Sequence, residues 1–416
     1  MTAATLAPPR IMTLDIVRGV AVMGILAMNI VAFGMPFQAY MNPAAFGAEG
    51  AADFAGWAFN FIFIDGKMRG LFSFLFGASM LLVIERAEAA GASPASIHYR
   101  RMLWLLVFGL LHFYFIWFGD ILAGYAQVGL IAYLFRKRSS RALIRWGVGL
   151  VVLQFLLFLS FAVGTYYLAA NVSLPGTPAG AVDQWHQLQG QFGAITGQPL
   201  AQKLALFTGP WSLQVEHRLG DFWEPFVGTI FFGWETLAYF LFGMVALRDG
   251  FLRGEWENAR YRRTMLIGFG IGIPAYAAIA LFMWQSDFSV PAVMAGAMAA
   301  PVPFRPLMIL AIAALIILLT RRGGALVDRL AAAGRAAFTN YLGTSILMTA
   351  LFYGWGFGMY GSLSRIELWL VVIPMWALIL IWSKPWLERF QYGPLEWLWR
   401  SLTRLRLEPM RRPVPA

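Results

Sequence analysis

Long apolar runs alternate with short polar segments along almost the whole chain. They lie at about residues 14–35, 57–84, 101–118, 121–135, 142–169, 226–247, 264–284, 304–320, 337–357 and 366–382. A helix needs roughly 20 apolar residues, rising 1.5 Å each, to cross the hydrocarbon core of a bilayer. The pattern predicts an all-α, polytopic membrane helix bundle of about ten transmembrane helices over residues 14–382. The two runs between 101 and 135 require a tight turn at "FGD", 118–120. The widest gap, 170–225, is predicted to hold short helices. The tail, 383–416, is basic and Trp-rich and reads as an amphipathic helix on a membrane surface.

Charge orients these elements. With residues 1–13 in the cytoplasm and strict alternation, 26 of the 32 Lys and Arg fall on the inner side. The other six are Lys67, Arg69, Lys203, Arg218, Arg305 and Arg365. That asymmetry predicts both termini inside and the 170–225 loop outside. Residues 1–13 contain Arg10 as their one charge and read as a retained N-terminus rather than a cleaved signal. Composition agrees with this class: 59% of residues are hydrophobic and 13% charged, against about a quarter charged in soluble domains. The net charge of +11 is what inward-facing basic loops produce, so no nucleic-acid partner is inferred. The absence of cysteine excludes disulfides, thiolate metal sites and Cys nucleophiles.

Polar groups inside the apolar runs are the candidate chemistry. In "LDIVRGVAVMGILAMNI", 14–30, Arg18 and Asn29 are 11 residues apart. Three helical turns separate them, so they share one face about 16 Å apart along the axis. Such a stripe either lines a polar cavity, or consists of an interfacial Asp15–Arg18 pair and an interhelical Asn29 bond. In "FNFIFIDGKMRGLFSFLFG", 59–77, Asp65, Lys67 and Arg69 interrupt the run on the outer side. This predicts a short first helix, a turn at "DGKMRG", then the true span. The cations suit a carboxylate or phosphate, or else anchor the interface.

In "GLLHFYFIWFGDILAGYAQVG", 109–129, His112 lies within a run, and Asp120 and Tyr125 flank the turn. An imidazole oriented by an acid can act as a base, and it can equally be a hydrogen-bonded core residue. Asn340, Tyr341, Thr344 and Ser345 form a polar patch that reads as interhelical bonding. Glu216, His217, Arg218, Asp221 and Glu224 cluster before a span, as a solvated loop or an entrance. The segment "GFGIGIP", 268–274, is an expected helix interruption. The phosphate-loop, H-E-x-x-H and G-x-S-x-G patterns are absent, and the four histidines are scattered, so no metal is expected.

Five stretches in this order, "LDIVRGVAVMGILAMNI", "DGKMRGLFSFLFGASM", "GLLHFYFIWFGDILAGYA", "GRAAFTNYLGTSI" and "QYGPLEWLWRSLT", resemble the YeiB-like family of bacterial inner-membrane proteins, a domain of unknown function. The resemblance covers nearly the whole chain and implies residence in the bacterial cytoplasmic membrane. More distantly, "D-x-x-R-G" with Asn29 eleven residues beyond Arg18 is similar to the first span of transmembrane acyltransferases of the heparan-α-glucosaminide N-acetyltransferase type. That similarity implies acyl-CoA as co-substrate and places Asn29 in the active site. The catalytic histidine of that group aligns near Tyr40, and residues 30–60 contain no histidine.

The leading expectation is an acyltransferase-like membrane protein acting on a small or envelope acceptor. Arg18 would hold the acyl-CoA, Asn29 and Asp65 with Lys67, Arg69 and Tyr125 would position the substrates, and His112 with Asp120 would supply the base. A transporter of a small anionic or amphipathic solute needs the same cavity without the chemistry, and a scaffold needs neither. Assembly as a homodimer stays open.

Overall fold

The computed structural model describes residues 10–412. The N-terminal stretch expected at 1–13 therefore lies, up to residue 9, outside the described residues. Helix α1 (Met12–Gly34) runs through the middle of the molecule with most of its side chains buried. A short α2 (Gln38–Met41) leads to α3 (Ala51–Phe63) and α4 (Lys67–Ala89). Asp53 fixes the start of α3, its carboxylate accepting the Glu49 and Gly50 amides at 3.2 Å. Between α3 and α4, Gly66 has φ +69°. That left-handed conformation breaks the helix where the two glycines of "DGKMRG" predict a turn.

Helices α5 (Pro94–Phe115) and α6 (Leu122–Ala132) flank the predicted turn at 118–120. Helix α7 (Ser140–Asn171) is the longest, with the Ser139 hydroxyl capping its start. The 170–225 segment folds into α8 (Ala179–Phe192), α9 (Gly197–Thr208) and α10 (Trp211–Gly220). It is tied to the bundle by Gln38 to the Gly190 carbonyl, Asn42 to Phe192 and Arg218 to Tyr114.

Helices α11 (Glu224–Arg248) and α12 (Asn258–Gln285) follow. The interruption expected at 268–274 is not there: α12 continues through Pro274. A proline removes one backbone bond, and apolar membrane-type helices tolerate that loss where neighbours pack closely. The break falls later, where α13 (Val290–Val293) passes through a π-helical turn, Met294–Ala299, before α14 (Arg305–Thr320).

Helices α15 (Ala325–Arg335) and α16 (Ala337–Phe352) lead to α17 (Trp369–Arg389) and α18 (Pro394–Arg404). Among the described residues, six helical stretches are long and apolar enough to cross a membrane: Met12–Gly34, Ala51–Ala89, Ser140–Asn171, Glu224–Arg248, Asn258–Gln285 and Trp369–Arg389. Helix α1 packs against α15, α4 and α16, and α11 packs against α4 and α7.

Candidate functional site

The polar groups of α1 part company. At the Arg18 end, Asp15 accepts from Arg10 at 2.6 Å and from Arg18 at 3.1 Å. Arg18 also donates to Ser79 Oγ on α4 at 2.7 Å. This end is a structural knot in which the Arg18 side chain keeps 22% exposure. At the other end, Asn29 lies in the wall of a cavity of about 560 Å³. No hydrogen bond to the Asn29 side chain is present among the described residues, so its amide faces the cavity unengaged.

The same cavity gathers Asp65 and Arg69, Asp120 and Tyr125, Tyr40, Glu224, Tyr276 and Arg305. Five of the eight sequence-predicted residues thus converge. Helix α1 supplies Asn29, the α3–α4 break Asp65 and Arg69, the α5–α6 turn Asp120, α6 Tyr125, and the start of α14 Arg305. The break at Gly66 matters twice. It turns Asp65 into the cavity wall, and a side chain at Gly66 would strike Arg305 Nε. Glycine is therefore required for the arginine to approach.

Glu235 holds the two cavity arginines. It accepts from Arg69 at 3.0 Å and from Arg305 Nη1, and Tyr239 donates to it at 2.7 Å. This acid sits in the middle of α11, where burial without a partner would be prohibitive. Among the described residues, Arg305 Nε has no partner. Tyr125 steadies the same wall, its hydroxyl lying 2.6 Å from Ser73 Oγ and donating to the Arg69 carbonyl at 3.0 Å. Asp65, by contrast, makes no side-chain hydrogen bond or ion pair among the described residues. It is the open carboxylate of the site.

Three predicted residues stand outside the cavity wall. Arg18 belongs to the knot at the far end of α1. Lys67 is fully buried behind Phe61 and Tyr276: its amine donates to the Phe61 carbonyl and sits 3.4 Å from the centre of the Tyr276 ring. His112 bonds Asp120 through Nδ1 at 2.7 Å, a partner that the eight-residue spacing alone does not specify. Its Nε2 is buried without a partner, in a setting of Trp117 and Tyr341 rings. The other oxygen of Asp120 accepts the Ala123 amide at 2.7 Å and starts α6. The dyad as placed holds the α5–α6 turn in shape.

Sequence reasoning missed Glu235 and Tyr239 and left Arg305 among the unplaced outer cations. The signal was present: one acid inside "FFGWETLAYF" demands a basic partner. The loop acids divide, with Glu224 in the cavity wall and Asp221 exposed beside His217. Within the patch on α16, Asn340 is interhelical as read, while Ser345 donates to the Tyr341 carbonyl of its own helix. Asn340 donates to Ser383 Oγ at 3.2 Å and accepts from Trp382 at 2.9 Å.

The family model "Protein of unknown function (DUF418)" matches residues 246–406. "Uncharacterized protein YeiB" of Escherichia coli K12 is 32% identical over 409 residues, covering 95% of this chain and 96% of the relative. "Uncharacterized protein YxaH" of Bacillus subtilis 168 is 32% identical over 424 residues, covering 98% and 97%. An uncharacterized 39.9 kDa protein from the amylase 3′ region of Bacillus acidopullulyticus is 26% identical over 409 residues.

Proposed function

Because this chain belongs to the YeiB-like family of proteins of unknown function, we propose a chemistry for it from the cavity itself: it is an acyltransferase-like protein of the bacterial inner membrane. It moves an acyl group from cytoplasmic acyl-CoA to an acceptor held in the cavity. In this reading ten helices cross the bilayer with both termini inside, α5, α6, α14 and α16 completing the six long spans. The strong inward bias of Lys and Arg supports that orientation. The Arg18 knot then lies at the cytoplasmic side and the cavity in the outer half.

One observation carries the proposal. The unengaged Asn29 amide shares its cavity with Tyr40, at the position where the distant acyltransferases place their catalytic histidine, and with the open carboxylate of Asp65. The roles shift from the sequence expectation. Asp65 takes the proton from the attacking hydroxyl or amine of the acceptor. Asn29 and Arg69 donate to the carbonyl oxygen as the acyl carbon is attacked. The carbon–sulfur bond breaks as the carbonyl re-forms, and the proton taken by Asp65 passes to the leaving CoA thiolate, restoring the carboxylate. His112 acts through Asp120 on the shape of the wall, and Arg18 receives the anionic part of the CoA.

The test is thermal stability of the detergent-purified protein titrated with CoA, acetyl-CoA and longer acyl-CoAs. A specific ligand raises stability by RT ln(1 + [L]/Kd). A saturating shift in the wild type, with acyl transfer lost in Asn29→Ala and Asp65→Asn, is expected. No shift with any acyl-CoA on folded protein overturns it.

A second reading, transport of an amphipathic solute, draws on a different observation. Two broken helices, at 64–66 and 300–304, each bring charge to the cavity, as discontinuous helices do at transporter sites. Flux of solute without acyl-CoA distinguishes it.

A further inference from the structure

The cavity is walled partly by residues that also reach the outer surface of the bundle. Gly124 of α6 and Gly228, Thr229 and Gly233 of α11 line it. Their small side chains leave a seam, where a methyl on Gly124 would lie 3.4 Å from Thr229 Oγ1 and one on Gly228 would meet nothing. On the same stretch of α11, Val227, Ile230, Phe232 and Trp234 are exposed, and exposed apolar residues on a spanning helix face lipid. Phe232 both lines the cavity and is exposed on that face, so the cavity wall is thin toward the bilayer here. A cavity of about 560 Å³ takes a lipid headgroup and its nearest carbons, while the tails stay in the membrane.

The polar end defines the headgroup. Arg69 and Arg305 are both held by Glu235, and among the described residues the buried Arg305 Nε–H has no partner, a charged donor that suits a phosphate. Asp65, which makes no ion pair among the described residues, suits a cation, and Tyr40 and Trp57 line the same cavity. One anion and one cation on one lipid describe a zwitterionic head. We propose that the cavity binds an aminophospholipid, phosphate on Arg69 and Arg305 and ammonium on Asp65, entering sideways between α6 and α11. This rests on reading the cavity as a substrate site and names the class of molecule it holds.

The experiment needs no acyl-CoA, so it stands or falls separately from the acyl-transfer reading. Full-length protein in vesicles is photolabelled with phosphatidylethanolamine carrying a diazirine near the glycerol. Unlabelled phosphatidylethanolamine, phosphatidylglycerol and soluble glycerophosphoethanolamine compete. The expected result is labelling of the 122–132 and 224–236 peptides, competed about tenfold better by phosphatidylethanolamine than by phosphatidylglycerol, the value of one charged hydrogen bond.

Gly228→Trp should abolish that labelling, and Asp65→Asn should erase the headgroup preference. Thermal unfolding of each variant verifies that it folds, and Gly228→Ser serves as the mild variant at the seam. Labelling spread evenly over exposed α7, or unchanged in folded Gly228→Trp, overturns the proposal. So does equal competition by the soluble headgroup, or a preference that survives Asp65→Asn.

Discussion

Gly19 and Gly334 meet where α1 crosses α15, and a methyl on Gly334 would overlap the Asp15 carbonyl oxygen while one on Gly19 would overlap that of Leu330. The two glycines follow Arg18 and precede Arg335, so the polar knot at this end of α1 depends on backbones in contact. Gly334→Ala should destabilise the protein by at least the ~1–3 kcal/mol typical of overpacking, because a backbone rather than a side chain must move. Thermal unfolding by size-exclusion in detergent measures it, with Gly343→Ala, whose Cβ meets nothing, as the unaffected control.

Glu235 pairs with residues 166 and 70 positions away in the chain. Glu235→Ala would leave two arginines at the cavity without their counter-ion. A loss of roughly 3–5 kcal/mol is expected, as for other broken buried pairs. Glu235→Ala combined with Arg305→Met should lose less than the sum of the single changes. A double-mutant cycle on unfolding temperature checks the coupling.

The tail helix α18 docks on the bundle, against α5 and α16. Glu396 accepts the Phe338 and Thr339 amides at 2.6 and 3.1 Å and the Thr339 hydroxyl at 2.6 Å. It caps α16 from a distant part of the chain. Trp399 donates to the Arg101 carbonyl at 3.0 Å and stacks under that guanidinium. Glu396→Ala should cost about 0.5–2 kcal/mol, as a lost helix cap does. Hydrogen exchange should rise in 337–341 and in α18 together.

Glu408 predicts a pH effect at the same end. Burial pushes its carboxyl up, but hydrogen bonds from Arg406 and Arg404 and the charges of Arg404 and Arg400 outweigh that and hold it below its ordinary value. A depressed carboxylate contributes stability above its unfolded pKa of about 4.3 and loses it as pH falls through the folded value. Protection of residues 401–408 should therefore persist from pH 7 to 5 and drop in more acidic buffer. Glu408→Gln should remove that pH dependence.

The sequence made legible what depends on neighbours along the chain. The apolar runs became helices, and the two glycines around Lys67 marked a break. The polar stripe of α1 was right as geometry on one helix and incomplete as chemistry. Periodicity fixes the direction of Arg18 and Asn29 but not which helix covers each. Ser79 and Gly334 close over one, and the cavity opens on the other. Lys67 and Arg69, two residues apart, diverge by about 200° on a helix, so one entered the cavity and the other the core. Glu235 and Arg305 needed the packing of α4, α11 and α14, which no local pattern encodes. Helix α15 was too short and polar to register as a run, yet it supplies the glycine that seats α1.

Helix α7 carries a consequence for the membrane itself. Its exposed Trp146 lies near one end and exposed Tyr166 and Tyr167 near the other. Twenty residues of helix measure about 30 Å, the thickness of a typical hydrocarbon core, and aromatic rings settle at its two boundaries. The helix is a gauge of bilayer thickness. Shorter lipid chains must tilt it or be stretched around it. Since α7 packs on α11, that tilt would bear directly on Gly228 and Gly233, and the proposed sideways entry would then depend on lipid chain length.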